Sequence, residues 1–120
     1  MKKIMMLVIA CMGVLFLAGC SDKPQDVAKK WAQALEKQDL DTANKYSTDE
    51  AKFFNSLIID AVKRDQGKVK SNIKETINKI PKSKVEINDD KAVIKIDEDD
   101  KRSDIQLKKV DGEWKIHVSK

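Results

Sequence analysis

The feature that most constrains this chain is a change of hydrophobic period at Lys84. Before it, Val27, Trp31, Ala34 and Leu35 recur at steps of four, three and one, the spacing of one face of a helix. After it, Ala92, Ile94 and Ile96 alternate with Lys95 and Asp97, the spacing of a strand with one buried face. A chain that is helical first and extended second folds into segregated layers, with helices on one face of an antiparallel sheet.

The helical part divides further. Asp22 and Pro24 mark a start, since proline is tolerated in a first turn, and the first helix is expected to run to about Lys37. Asp39-Leu40-Asp41 opens a short second helix carrying Leu40, Ala43 and Tyr46. Thr48 is the expected N-cap of a third, with Asp49 and Glu50 in its first turn, where the helix dipole favours negative charge. Its apolar stripe reads Phe53, Phe54, Leu57, Ile58, Ala61 and Val62, and Gly67 is the expected C-terminal stop. Val69, Ile73, Ile77 and Ile80 imply a fourth helix ending before Pro81. Then come strands around Val85 and Ile87, Ala92 to Ile96, Ile105 and Leu107, and Trp114 to Val118. Asn88-Asp89-Asp90 and Asp111-Gly112 are the turns, the second a strong hairpin signal. The expectation is an α+β fold, with three or four N-terminal helices packed on a four-stranded antiparallel meander. The folded domain spans residues 27–120, and no internal repeat interrupts it.

The first twenty residues read differently. Lys2 and Lys3 precede an uncharged apolar run from Ile4 to Leu17, 14 residues long. A membrane-spanning helix needs roughly 20 apolar residues, whereas a secretory h-region is shorter. The run ends in Leu17-Ala18-Gly19-Cys20, which resembles the bacterial lipobox; the plainer alternative is an ordinary signal peptide with Cys20 there by coincidence. The resemblance implies a signal peptide over residues 1–19, acyl chains on Cys20 and a lipidated tether over residues 20–26. Two or more acyl chains anchor a protein stably at roughly 0.8 kcal/mol per buried methylene. Loss of Lys2 and Lys3 would lower the formal charge from +4 to +2 (4 − 2). Cys11 would leave with the signal and Cys20 would carry lipid, so no internal disulfide is expected. Ser21 follows the cysteine and Asp22 comes one place later. In a Gram-negative cell this pattern implies the outer membrane, facing the periplasm; in a Gram-positive cell it implies the outer face of the plasma membrane. Six extended residues from Ser21 reach only about 20 Å, so the domain is expected close to its membrane.

The mature chain also resembles a family. The residues are Val27 to Leu35 followed by Lys37-Gln38-Asp39-Leu40-Asp41-Thr42-Ala43, then Ser47-Thr48-Asp49-Glu50, then Leu107 to Ile116 with its Asp111-Gly112 turn and Trp114. They are similar to small bacterial lipoproteins of the DUF4878 or lumazine-binding-like type, within the nuclear transport factor 2-like, or cystatin-like, superfamily. The resemblance implies a curved sheet wrapped on helices to form a cone. It carries over no catalytic residue.

Candidate sites each have a plainer counterpart. Trp31, Tyr46, Phe54 and Trp114 either pack as core or line a cavity for a small apolar ligand, because pockets and cores draw on the same residue types. Residues 63–84 hold eight Lys or Arg against Asp65 and Glu75. Of these, Lys68, Lys70, Lys74 and Lys79 either rest on anionic head groups beside the anchor or simply solvate a helix face. Asp97-Glu98-Asp99-Asp100 lacks the alternating ligands and distal Glu of a calcium loop and reads as a solvated turn. His117, the single histidine, falls by strand parity on the face away from the helices, with Lys95, Gln106 and Lys115. That polar face could meet a protein partner or a second copy. Enzymes of this superfamily place Asp, His or Tyr in the cone, and here only Tyr46 and Asp60 are candidates. No catalytic motif occurs, and neither metal, cofactor nor nucleic acid is expected. The expected function is a membrane-anchored envelope lipoprotein with a non-enzymatic binding or interaction domain. A carrier or sensor of a small apolar ligand, and then a small enzyme, are the alternatives.

Overall fold

The computed structural model describes residues 22–118. The expected signal peptide over residues 1–19, the expected acylation site Cys20 and Ser21 lie outside the described residues. Helix α1 spans Pro24–Glu36, with proline in its first turn after an extended Lys23. It takes in Pro24, Gln25 and Asp26, so the stretch expected as tether is already helical from Pro24 onward. Its C-terminus closes without a glycine. Gln38 adopts a left-handed φ of 60°, its amide donates to Leu35 O (3.1 Å), and the Asp39 amide donates to Ala34 O (2.8 Å). This pair of bonds satisfies carbonyls that the helix end would otherwise leave free. Asp39 then caps α2 (Leu40–Lys45), accepting from the Thr42 amide at 3.2 Å and its hydroxyl at 2.7 Å.

Helix α3 spans Asp49–Arg64 and α4 spans Lys68–Lys79, continued by a 3₁₀ turn over Ile80–Lys82. Three local expectations are corrected here. Gly67 does not stop α3: that helix ends at Arg64 with Asp65 as its C-cap, and Gly67, with a right-handed φ of −69°, is the N-cap from which α4 starts. Thr48 stands at the N-cap of α3 but its hydroxyl does not cap the helix; it lies 3.1 Å from His117 Nδ1 instead. The apolar stripe of α3 is rotated. Ala51, Asn55, Ile59 and Val62 are buried, while Phe53 is 72% exposed, Phe54 45% and Leu57 48%.

The strands are β1 (Lys84–Asn88), β2 (Lys91–Lys95), β3 (Ile105–Val110) and β4 (Glu113–Ile116), in the spatial order β1-β2-β3-β4, antiparallel throughout. The order is the expected meander. The last turn places Asp111 at φ 53° and Gly112 at φ 83°, the paired left-handed conformations that match the twist of a two-residue hairpin. The fold is α+β, four helices against a four-stranded sheet. Ala92, Ile94, Ile105, Leu107, Trp114 and Ile116 form the sheet's inner face and meet Ala28, Leu35 and Ile80. The edge of β4 is also covered: the Ile116 amide donates to Tyr46 O (2.7 Å) and the Thr48 amide to Ile116 O (2.8 Å). Ser47 thereby pairs in parallel with Ile116. The core cluster lies wholly between Val27 and Ile116, and no buried side-chain polar atom among the described residues lacks a partner. A chain starting at Ser21 therefore keeps every contact that the described residues make in this core.

Candidate functional site

Two clefts carry the aromatic candidates, and they are separate. The first has a volume of about 230 Å³ and lies where α1 begins, beside the end of α2 and strand β4; Asp22, Val27, Lys45, Tyr46, Glu113, Trp114 and Lys115 line it. Its floor is aromatic and its mouth is charged. Lys30 Nζ donates to Asp22 Oδ2 at 2.9 Å, and that bond, followed by the charge of Asp22, holds the Lys30 ammonium above its ordinary range. The same ammonium stands 5.9 Å from the centroid of the Tyr46 ring, and Lys45 Nζ stands 5.6 Å from it, both inside the reach of a cation–π contact. Lys109 Nζ lies 5.4 Å from the Trp114 ring. The aromatic rings here are thus already occupied by the protein's own cations.

The second cleft, about 180 Å³, runs between α1, α3 and α4 and is lined by Trp31, Ala32, Leu35, Ile58, Val69, Asn72, Ile73 and Thr76. It is apolar apart from Asn72 and Thr76. It exists because α4 has no buried residue: its isoleucines reach the core only partly, and a furrow stays open beside Trp31. Of the four aromatic candidates, Tyr46 and Trp114 therefore share the first cleft, Trp31 faces the second, and Phe54 lies on the exposed flank of α3 and lines neither. Of the two readings, core packing describes Trp31 and Trp114, with Tyr46 packed against that core; the alternative of one cavity lined by all four is not found, and the rotation of α3 turns Phe54 outward. Asp60 is exposed on the same helix and does not line the cleft that holds Tyr46.

No residue pattern along the chain points to the polar knot behind Trp31. Asn55 is fully buried. Its Oδ1 accepts from the Trp31 indole (2.8 Å), and its Nδ2 donates to Ser47 Oγ (2.9 Å) and Asn44 Oδ1 (3.1 Å). Ser47 in turn donates to Ala43 O at 2.8 Å. One amide thus joins α1, α2, α3 and the segment leading into α3. Every member is satisfied, so the knot orders the core and leaves no free group for chemistry.

Among the lysines of α4, Lys74 is 3.7 Å from Glu36 and Lys79 is 2.9 Å from Glu75. Lys68 and Lys70 have no ion pair among the described residues. In the acidic stretch, the Asp99 amide donates to Asp97 Oδ1 (3.0 Å), and the Arg102 guanidinium grips Asp100 at 3.0 and 3.3 Å. Hydrogen bonds from Arg102 hold the Asp100 carboxyl below the usual carboxylate range. Among the described residues no group of three or more His, Cys, Asp or Glu is placed to hold a metal ion, and no helix is long and apolar enough to cross a membrane. The sequence matches no family model, and neither a curated protein nor a solved structure matches the chain.

Proposed function

We propose that this protein is a membrane-anchored lipoprotein of the cell envelope whose folded part is a non-enzymatic binding or interaction module. The observation that carries the proposal is the Leu17-Ala18-Gly19-Cys20 sequence at the end of a 14-residue apolar run. Only Ser21, Asp22 and Lys23 separate that cysteine from the first helical residue, Pro24. Three extended residues span about 10 Å, so acyl chains on Cys20 would hold the domain against its bilayer. The nuclear transport factor 2-like resemblance enters the proposal only through the order of helices before a four-stranded meander. Incorporation of labelled palmitate by the full chain in a bacterial host tests the anchor. Label in the wild-type chain and none in Cys20→Ser, with Cys20→Ser released from the membrane fraction, is the expected result; an unlabelled wild-type chain overturns it.

A second reading, a carrier of a small apolar ligand, is favoured by the cleft of about 180 Å³ between α1, α3 and α4. Native mass spectrometry of the chain starting at Ser21 separates the two. A co-purified mass that disappears in Ile73→Trp, where the larger ring fills the cleft, assigns the carrier role. A bare mass in both proteins favours the interaction module.

A further inference from the structure

The register of the sheet creates a charge pattern that spacing along the chain does not reveal. On the face turned away from the helices, Lys91 of β2 stands directly opposite Lys108 of β3, and Lys108 stands directly opposite Lys115 of β4. Neighbouring strands are about 4.8 Å apart, so three ammonium-bearing side chains leave the sheet in one row about 10 Å long. A second cross-strand pair, Lys84 and Lys95, lies on the same face, but Glu86 answers both at 3.8 and 3.7 Å. The row of three is less well compensated. Lys115 reaches Lys45 O at 2.7 Å and Glu113 at 3.7 Å, whereas Lys91 and Lys108 have no ion pair among the described residues. Asp49 and Glu50 share a cleft with Lys108 and Lys115, yet Asp49 is engaged by Lys52 at 3.0 Å. Like charges directly opposite on adjacent strands destabilise a sheet. A face that keeps such a row gains when an anionic surface lies on it.

The place where the described chain begins says which anionic surface that is. Asp22, held to α1 by Lys30, lines the same cleft as Lys45 and Lys115, so the chain enters the domain beside the end of the lysine row. Cys20 is two residues earlier, within about 7 Å of extended chain. We propose that the outer face of the sheet lies on the anionic phospholipid head groups of the bilayer that holds Cys20, with Lys91, Lys108 and Lys115 as its contacts. The proposal rests on the acylation of Cys20 for its geometry. A second copy of the chain whose two-fold axis passed through the row would set lysine against lysine.

The test is vesicle flotation of the chain starting at Ser21, which retains the whole described core and carries no lipid of its own. Flotation is expected with equal parts phosphatidylglycerol and phosphatidylcholine, not with phosphatidylcholine alone, and is lost near 1 M salt, where screening acts within about 3 Å. Lys91→Gln with Lys108→Gln is expected to lower partitioning roughly thirty-fold, from the contribution of each lysine near an anionic surface. Lys91→Arg with Lys108→Arg restores it. Lys68→Gln with Lys70→Gln removes the same charge from α4 and leaves partitioning near wild type. Equal loss in both glutamine pairs means diffuse attraction, and loss only in the α4 pair assigns the contact to that helix. Absence of flotation by the wild-type chain leaves the face to an acidic protein partner. Each of these three results overturns the proposal. Failure of the anchor is read independently, from palmitate labelling of the full chain, since flotation of the unlipidated domain does not depend on it.

Discussion

Asn55 is the residue on which three helices depend, and its amide occupies a position that helical periodicity assigns to an apolar side chain. It sits at the centre of the buried face of α3, between Ala51 and Ile59. Replacing it with leucine keeps the branched four-atom side chain but strands the Trp31 indole N–H and removes a partner from Ser47 and Asn44. Each stranded buried polar group costs about 1–3 kcal/mol. Asn55→Leu is therefore expected to lose about 2–4 kcal/mol and to lower Tm by roughly 10–20 °C, read by far-ultraviolet circular dichroism. At the surface, Asp39 makes a pH-dependent contribution. Hydrogen bonds from the Thr42 hydroxyl and then the Thr42 amide hold its carboxyl below the ordinary 3.8. A group whose folded value is depressed stabilises the fold above its unfolded value and loses that contribution as pH falls through the folded one. Asp39→Ala is expected to melt lower than wild type at neutral pH, with the difference shrinking below about pH 4. A constant difference across the titration would contradict this. His117 lies just past β4, where its amide donates to Gln106 O at 2.8 Å and continues the pairing with β3; its neighbour Thr48 comes from a segment 69 residues away, which strand parity does not reveal.

Helix α3 is the element where pattern and packing diverge. Six apolar residues, from Phe53 to Val62, suggest one stripe, but they cover more of the helix circumference than the core can accept. The core takes Ala51, Asn55, Ile59 and Val62, because the short Ala51 lets α3 approach and Asn55 locks its rotation to Trp31. Phe53, Phe54 and Leu57 are left outward. Consequently Phe53→Ser with Leu57→Ser is expected to change stability by less than about 1 kcal/mol, each site lying in the range of ordinary surface substitutions. Ile59→Ala is expected to cost about 2–4 kcal/mol through the cavity it leaves. Chemical denaturation of the two proteins measures both; the reverse ranking would place the phenylalanines in the core. The strands behave as their alternation suggests, except at β1, whose Ile87 is 59% exposed. That strand is at the sheet's edge, beyond the cover of α1 and α4.

At the scale of the whole molecule, the helices lie on one face of the meander, and the other carries the lysine row together with Glu86, Val93 and Gln106. Asp22, two residues after the Cys20 of the proposed anchor, lines a cleft with Lys115 beside that second face. Because the core lies between Val27 and Ile116, removing residues 1–20 is expected to leave a folded domain with one cooperative thermal transition and the tryptophan emission of two buried indoles. A broad, non-cooperative melt would mean that earlier residues complete the core.

The sequence by itself determined the element types, their order and most of their ends, because the periods 3.6 and 2 and the turn chemistry of Asp39 and Asp111-Gly112 are local properties. It also carries the Leu17-Ala18-Gly19-Cys20 pattern of neighbouring residues on which the proposed anchor rests. Tertiary structure alone decided the rotation of α3, the knot at Asn55, the division of the aromatic residues between two clefts, and the lysine row across β2, β3 and β4. Each of these depends on which residues of distant segments end up opposite one another. Pairing register and helix rotation are set when side chains compete for one core, and no window along the chain contains that competition.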